Sequence, residues 1–317
     1  MPLASQIHID RPLSNFSLEY KNKKLIATEA VPFIPVQKKS DTYMSYTQKD
    51  RFTLGQTIRG PKDTANEVDW TATTGSYSCV DHAMRHFIPD AQAANADPGV
   101  DYRRRTSNFL TDLILLAYER VIATMLFTAG SYGASYKATL SSGDQWSAFA
   151  TSDPIANVET AMEACFVRPN TMIIGRAVWS KLKQHPQILA RITGGSTTGD
   201  PAKISKKLVA ELFEVDRLLV GEAKYNSANK GAAAAVFADV WGKFAWLGYI
   251  DPSPGLDSIT AASAFRWNQL STNMGFQVRT YRDESKGGGG EWIEVETSYD
   301  EVQPTSDLAF LYSTVVA

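Results

Sequence analysis

The chain has 317 residues, 44% of them hydrophobic, with 32 basic against 34 acidic side chains and a formal net charge of -2. That length suits one large domain or two interleaved ones, and that apolar share excludes an intrinsically disordered chain. The balance of charge excludes a whole-chain nucleic-acid binder, which would be strongly basic, and leaves only local basic patches open. Two cysteines, Cys79 and Cys165, do not make a disulfide scaffold and read as reduced thiols of a protein that folds in a cytoplasm. The N-terminus lacks the apolar core of a secretory signal, and no uninterrupted run reaches the ~18 residues of a membrane span. The run Phe109 to Ala129 comes nearest, but Asp112, Glu119 and Arg120 break it and mark a buried helix.

Residues 1–40 read as an arm. Their apolar side chains (Phe16, Leu18, Leu25, Ile26, Phe33, Ile34) are too sparse for a core of their own. Pro-bounded pairs such as Phe33-Ile34 suit an extended strap laid across another surface, a neighbour's included, over a loose terminus. Residues 41–78 hold two β-like runs, near Tyr43–Leu54 and Glu67–Tyr77, separated by a polar tip with a Gly60-Pro61 turn. Phe52, Leu54 and Ile58 alternate with polar neighbours as in a half-buried strand. Two strands alone are marginal in water, so this hairpin needs support from outside itself.

Residues 80–129 read as helical. Val80, Met84 and Phe87 share a helical face that Pro89 ends. A long helix opens near Asp101 or Thr106-Ser107, where small polar side chains can cap free amides. Leu110, Leu113, Ile114, Ala117, Val121 and Thr124 form one apolar face; Phe109, Leu116 and Leu126 widen it almost all round, which predicts burial on most sides. The triplet Arg103-Arg104-Arg105 sits at the end of the helix dipole that repels cations, so it needs carboxylates or a neighbouring chain.

A Gly/Ser-rich connection (130–150) leads to an α/β stretch. Asp153-Pro154 caps a helix carrying Ile155, Val158, Met162 and Cys165. There follow a strand at Thr171–Gly175, a helix at Ala177–Lys183 stopped by Pro186, and a third helix through Ile204, Leu208, Val209 and Leu212. Strands at Arg217–Gly221 and Ala233–Leu247 complete the unit. In the tail, Phe276, Val278 and Tyr281 precede a GGGG turn and Trp292, Ile293 and Val295 follow it, as in a long hairpin. Leu308–Val316 reads as an apolar strand returning to an earlier sheet.

No cluster marks catalysis or a cofactor. The best metal candidate is Cys79 with Asp81, His82 and His86, the two histidines sharing a helical face; a second cysteine and a HExxH glutamate are missing, so they read as two exposed histidines on an amphipathic segment. There is no GxSxG; Gly194-Gly195-Ser196 lies in a polar loop, and His185-Pro186 is ordinary helix punctuation. The GGGG at 287–290 follows a polar strand where a phosphate loop would open a helix. The tail acids Glu291, Glu294, Glu296, Asp300 and Glu301 read as a solvated strand face, and the seven tryptophans as core or interface. The most basic stretch, 176–217, reads as a solvated helix surface that could also face a polyanion.

The order of arm, hairpin, short helix, long apolar helix, α/β unit and β return resembles the major capsid proteins of tailed bacteriophages, the Hong Kong 97-type fold. YSCVDHAMRHFIPDAQAANAD (77–97) leading to LAYERVIATMLF (116–127) is similar to the approach to that family's spine helix, and DRLLVGEAKYNSA (216–228) with VWGKFAWLGYI (240–250) to its axial strands. The resemblance implies an α+β fold with an N-arm (1–40), an extended E-loop (41–78), a peripheral domain (79–149 and 263–306, spine helix 101–129) and an axial domain (150–262 and 307–317). It implies a shell subunit and no enzyme, with copies of itself in hexamers and pentamers as partners. Scaffold, portal and cement proteins, packaged DNA held non-specifically on the inner face and no membrane complete the expected partners; assembly would occur in the host bacterial cytoplasm and the product would be the virion capsid. No long helical segment precedes the arm, which implies a separate scaffold or none. Lys49, Lys62, Asn226 and Asn229 mark no partner pair for inter-subunit cross-linking. The alternatives are an encapsulin-type nanocompartment and an α/β enzyme with a mobile hairpin.

Overall fold

The structure is a computed structural model that describes residues 25–46, 53–55, 57–62, 64–69, 72–95, 101–192, 204–229, 231–255, 258–268, 276–303 and 306–317. Of the expected arm, residues 25–36 lie across the subunit's own body, so for this part the surface beneath the strap is its own and not a neighbour's. The short helix α1 (Ala27–Ala30) buries Ala27 and Ala30. Strand β1 (Phe33–Val36) pairs in parallel with β11 (Ser263–Trp267), and Phe33 stacks on Tyr118 at 4.6 Å.

The expected hairpin is present but shorter. Strands β2 (Ser40–Tyr46) and β3 (Ala72–Ser78) pair antiparallel from Ser40↔Ser78 to Tyr46↔Ala72. Thr53–Gly55 and residues 57–60 are in no strand, and Leu54 and Ile58 are 96% and 82% exposed, so the alternating run does not make a half-buried strand; Phe52 lies outside the described residues.

The segment expected as a short helix is instead β4 (Val80–Pro89), a ten-residue strand. A spacing of four, as from Val80 to Met84, is even, so it places residues on one face of a strand as well as on one face of a helix. Pairing with β13 (Gly290–Val302) over ten positions decides between them. A five-residue helix, α2 (Asp90–Ala94), follows Pro89.

The long helix α3 (Tyr102–Phe127) has 26 residues and starts at Asp101, whose carboxylate accepts the Arg104 backbone N–H. Its buried face is narrower than expected: Leu110, Ile114, Tyr118, Ile122 and Leu126, with Glu119 and Ala123 beside them, while Phe109, Ala117 and Thr124 are exposed. At 1.5 Å per residue the helix is ~39 Å long, enough to lie under two sheets in turn.

The first sheet has β13 at its centre. On one side β13 pairs with β4; on the other it pairs with β12 (Gln277–Asp283) and then with β11, beyond which lies β1. Leu110 and Ile114 of α3 pack with Ile88, Ile293 and Val295 of this sheet. The second sheet has the order β5 (Lys137–Thr139), β14 (Ala309–Ser313), β10 (Ala245–Gly248), β6 (Thr171–Gly175), β7 (Arg217–Gly221). Residues of β6 are buried on both faces, which explains its unbroken apolar sequence. Met172, Ile174, Val220 and Leu247 face the helices α4 (Pro154–Ala164), α5 (Arg176–Leu182), α6 (Pro186–Ile192) and α7 (Lys206–Leu212). Ile173, Leu219, Trp246 and Leu311 face the other way, onto Tyr118, Ile122 and Leu126 of α3.

Two expectations for this unit need correction. Pro186 opens the extra helix α6, because proline is tolerated in a first turn. The run Ala233–Leu247 is not one strand: β8 (Lys224–Asn226) pairs antiparallel with β9 (Phe237–Asp239), and the chain then turns at Gly242, with φ +48°, before β10.

Glu119 joins these parts. Its carboxylate is fully buried and accepts N–H bonds from Ile26 (3.0 Å) and Ala27 (2.7 Å) at the start of α1 and from the Trp241 indole (2.5 Å). Burial raises its pKa above the ordinary 4.5, and the three donors pull it part of the way back. Glu119→Ala leaves three buried donors unpaired and is expected to lower unfolding free energy by on the order of 3 kcal/mol or more in urea titrations. Because the native carboxyl holds its proton more tightly than the unfolded one, its contribution to stability grows as pH falls from above its raised pKa toward 4.5; Glu119→Gln should remove that component of the pH profile.

Candidate functional site

The described surface is organised around the root of the β2–β3 hairpin. Strand β3 runs into β4 through Cys79, so the hairpin continues the first sheet beyond its edge. Tyr77 stacks on Phe265 at 4.7 Å and Tyr43 lies 5.6 Å from the same ring. Ile34, Val36 and Cys79 complete this small core. Around it, Lys39 pairs with Asp81 at 2.5 Å, the Ser78 N–H donates to Asp300 at 2.8 Å, and the Cys79 N–H donates to the Lys39 carbonyl at 2.8 Å. The root is therefore fixed to the body. Beyond it, Leu54, Ile58 and Val68 present 96%, 82% and 67% of their surface to solvent. Covering a large aliphatic side chain contributes ~1.5–3 kcal/mol, so each of these three is stabilised when another surface covers it.

The candidate metal residues are dispersed. On a strand His82 and His86 stand ~13 Å apart along the backbone, and Asp81 faces the side opposite to His82. His82 stacks on Tyr299 at 4.2 Å, and burial lowers its pKa. Asp81 is engaged with Lys39. The Cys79 Sγ–H donates to the Phe265 carbonyl at 3.6 Å. Among the described residues no group of three or more His, Cys, Asp or Glu is placed to hold a metal ion.

One buried pair escaped the sequence reading. His185 Nε2 lies 3.1 Å from Ser152 Oγ. Its Nδ1 accepts the Gln187 N–H at 3.3 Å, so Nε2 carries the ring proton, and the serine hydroxyl donates to the Ala148 carbonyl at 2.8 Å. A ring already protonated at Nε2 cannot take the serine proton, and no carboxylate orients Nδ1; the pair fastens the entry to α6. Gly194-Gly195-Ser196 lies outside the described residues. The first three glycines of the GGGG run lie in the tip between β12 and β13, with Gly288 and Gly289 at φ +86° and +80°, and Gly290 opens β13. Trp146, Trp241 and Trp246 are core, whereas half-buried Trp292 lies between Arg85 and Lys286, each 4.4 Å from its ring. Arg103 finds the expected carboxylate, Glu291, at 2.6 Å.

No family model matches the chain. It is, however, 30% identical over 311 residues to the major capsid protein of Pseudomonas phage JBD67, across 98% of this chain and 97% of that protein. The chain belongs to the phage major capsid protein family. The major capsid protein of Burkholderia phage BcepMu is 28% identical over 251 residues, 76% of each chain. Among solved structures, a phage-related protein from Bordetella bronchiseptica RB50 matches with TM-score 0.68 at 24% identity, over 96% of this chain and 97% of that one. A capsid of the cyanophage P-SCSP1u matches with TM-score 0.55 at 13% identity, over 90% and 87%. The SrpI encapsulin of Synechococcus elongatus PCC 7942 matches with TM-score 0.57 at 8% identity, over 96% and 95%. The fold is the Hong Kong 97-type capsid fold.

In a capsid subunit the functional residues are those that shape surfaces, and its curated relatives are structural proteins. Tyr43, Tyr77 and Phe265 pack the root of the hairpin against the body. Sequence reasoning found the hairpin but not the anchor, because Phe265 is 188 residues from Tyr77 (265 minus 77) and only the fold joins them. Both cysteines are free, and burial pushes the Cys79 thiol to about 11 and the Cys165 thiol to about 12. A thiol reagent at pH 8 is therefore expected to label neither cysteine in the folded subunit and both after denaturation; rapid native labelling of Cys79 would show the root to be open.

Proposed function

We propose that this capsid protein builds a closed icosahedral shell of hexamers and pentamers around the double-stranded DNA genome of a tailed phage. The observation that carries this is the projecting loop: fixed at its root, it holds Leu54, Ile58 and Val68 away from the subunit's own core. A side chain of that kind is buried only when another molecule covers it, and in a shell of identical subunits the available molecule is a sister copy. Many modest contacts around each subunit then add by avidity, and head-to-tail contacts close into rings. The encapsulin reading rests on fold likeness at 8% identity, whereas the capsid reading has a relative at 30% over nearly the full length.

The finer parts of this reading follow from the subunit's chemistry. Its reduced thiols suit assembly in the host cytoplasm. The stretch holding Arg176, Lys181, Lys183 and Arg191 is a surface on which packaged DNA would be held without regard to sequence. Portal, scaffold and cement proteins are the further partners of such a shell.

Removing residues 50–72 is expected to leave a folded monomer, with unchanged circular dichroism and a monomer's elution volume, that forms no particles under negative stain. Particles of normal size from this deletion would overturn the assignment of the loop to assembly.

A further inference from the structure

Helix α6 begins at a proline, so its first amide in need of a partner belongs to Gln187. That partner is a ring nitrogen. His185 stands just before Pro186; its carbonyl accepts the Leu189 N–H at 3.0 Å, and its Nδ1 accepts the Gln187 N–H at 3.3 Å. His185 is therefore the cap of α6. Helix caps are ordinarily Ser, Thr, Asp or Asn, whose oxygen stays an acceptor at neutral and mildly acidic pH. A histidine nitrogen does not, because one proton turns it from acceptor into donor.

The same ring ties α6 to α4. Its Nε2–H meets Ser152 Oγ at 3.1 Å. The next residue, Asp153, caps α4 by accepting the Ile155 and Ala156 N–H groups at 3.1 and 3.0 Å. Ser152 is held in turn by the Ala148 carbonyl, and the Phe149 ring lies edge-on to the imidazole at 5.6 Å. His185 and Ser152 are 0% and 2% exposed, whereas His82 is half-buried and His86 exposed. Both nitrogens of the neutral ring are engaged, and a second ring proton would face the Gln187 N–H donor to donor.

Charged side chains stand on each element around this joint: Asp153 before α4, Glu159 on α4, Lys181 and Lys183 at the end of α5, and Arg191 on α6, all of them at the surface. Lys206 and Lys207 of α7, which packs on α6, reach Glu222 and Glu211 instead. Burial acts most strongly on the ring, against its cation, and Asp153 is the charge that acts the other way.

We propose that the Ser152–His185–Gln187 joint is an acid-operated latch, in which uptake of a proton at His185 Nδ1 releases the first turn of α6 and uncouples it from the entry to α4. The released turn has room to move, because a cleft lined by Asp153, Ile155, Glu159, Gln187 and Arg191 lies between the two helices. Burial holds the ring's pKa below the ordinary 6.5 in the closed joint. The neutral ring therefore contributes its full stability above 6.5, and that contribution is lost as pH falls below it. Glu119 has the opposite dependence, so the latch does not reduce to a general effect of acid. It is a property of the subunit and stands whether or not copies assemble.

Hydrogen–deuterium exchange of the full-length chain, read by mass spectrometry with times scaled to the chemical rate at each pH, tests the latch. The segment 185–192 is expected to exchange about tenfold faster at about pH 5 than at about pH 7.5, with β6 unchanged, since opening takes up one proton. His185→Asn supplies a cap oxygen that does not titrate and is expected to give equal protection at both pH values. Equal protection of the wild-type segment at both, or an acid response in His185→Asn as large as the wild type's, overturns the proposal. A second measurement needs no substitution: exchange of the imidazole C2 hydrogen gives the titration midpoint of each histidine in the wild-type chain. A midpoint below 6.5 is expected for His185, and one at or above 6.5 also overturns the latch.

Discussion

A single buried carboxylate holds this subunit to one shape. Glu119 lies about two-thirds of the way along a helix that serves two sheets, and it accepts hydrogen bonds from the start of α1 and from the loop preceding β10. The first amides of a short helix have no partners within the helix and must find them elsewhere. A buried carboxylate without donors would be costly in an apolar core. Each of these problems solves the other, and the solution has directional geometry that apolar packing lacks. Residues 25–36, α3 and the second sheet consequently meet in one arrangement.

Local chemistry made part of this fold legible. The strands Thr171–Gly175 and Arg217–Gly221 read directly, since short apolar runs buried on both faces have no competing period. Asp153 and Asp101 behaved as caps, because a carboxylate that accepts an N–H within three residues needs nothing distant. The GGGG hairpin and the returning C-terminal strand were legible for similar reasons.

What failed was decided at long range. The Val80–Met84 spacing fits a helix or a strand, and only the register of residues 80–89 against residues 290–299 selects the strand. Residues 25–36 look too sparse for a core, yet Ile26 and Val31 are buried against residues more than 80 positions away. Glu119 looked like an interruption of an apolar run; its place beside Tyr118 on the stripe of every fourth residue was the available signal that it points inward. The site was partly legible in the same sense: a weak hairpin in need of support could be recognised, while the stacked rings that pack its root could not.

The position of β14 has a consequence for synthesis. This strand, formed by residues 309–313, lies inside the second sheet, between β5 and β10, and β11 likewise waits for a partner supplied by residues 299–302. Neither sheet can close before residues 299–313 are in place. A chain ended prematurely leaves unpaired backbone on β10 and β5, edges that invite misassociation and proteolysis. A subunit without residues 309–313 therefore lacks the strand that joins β5 to the rest of the second sheet and cannot present that sheet in its closed form.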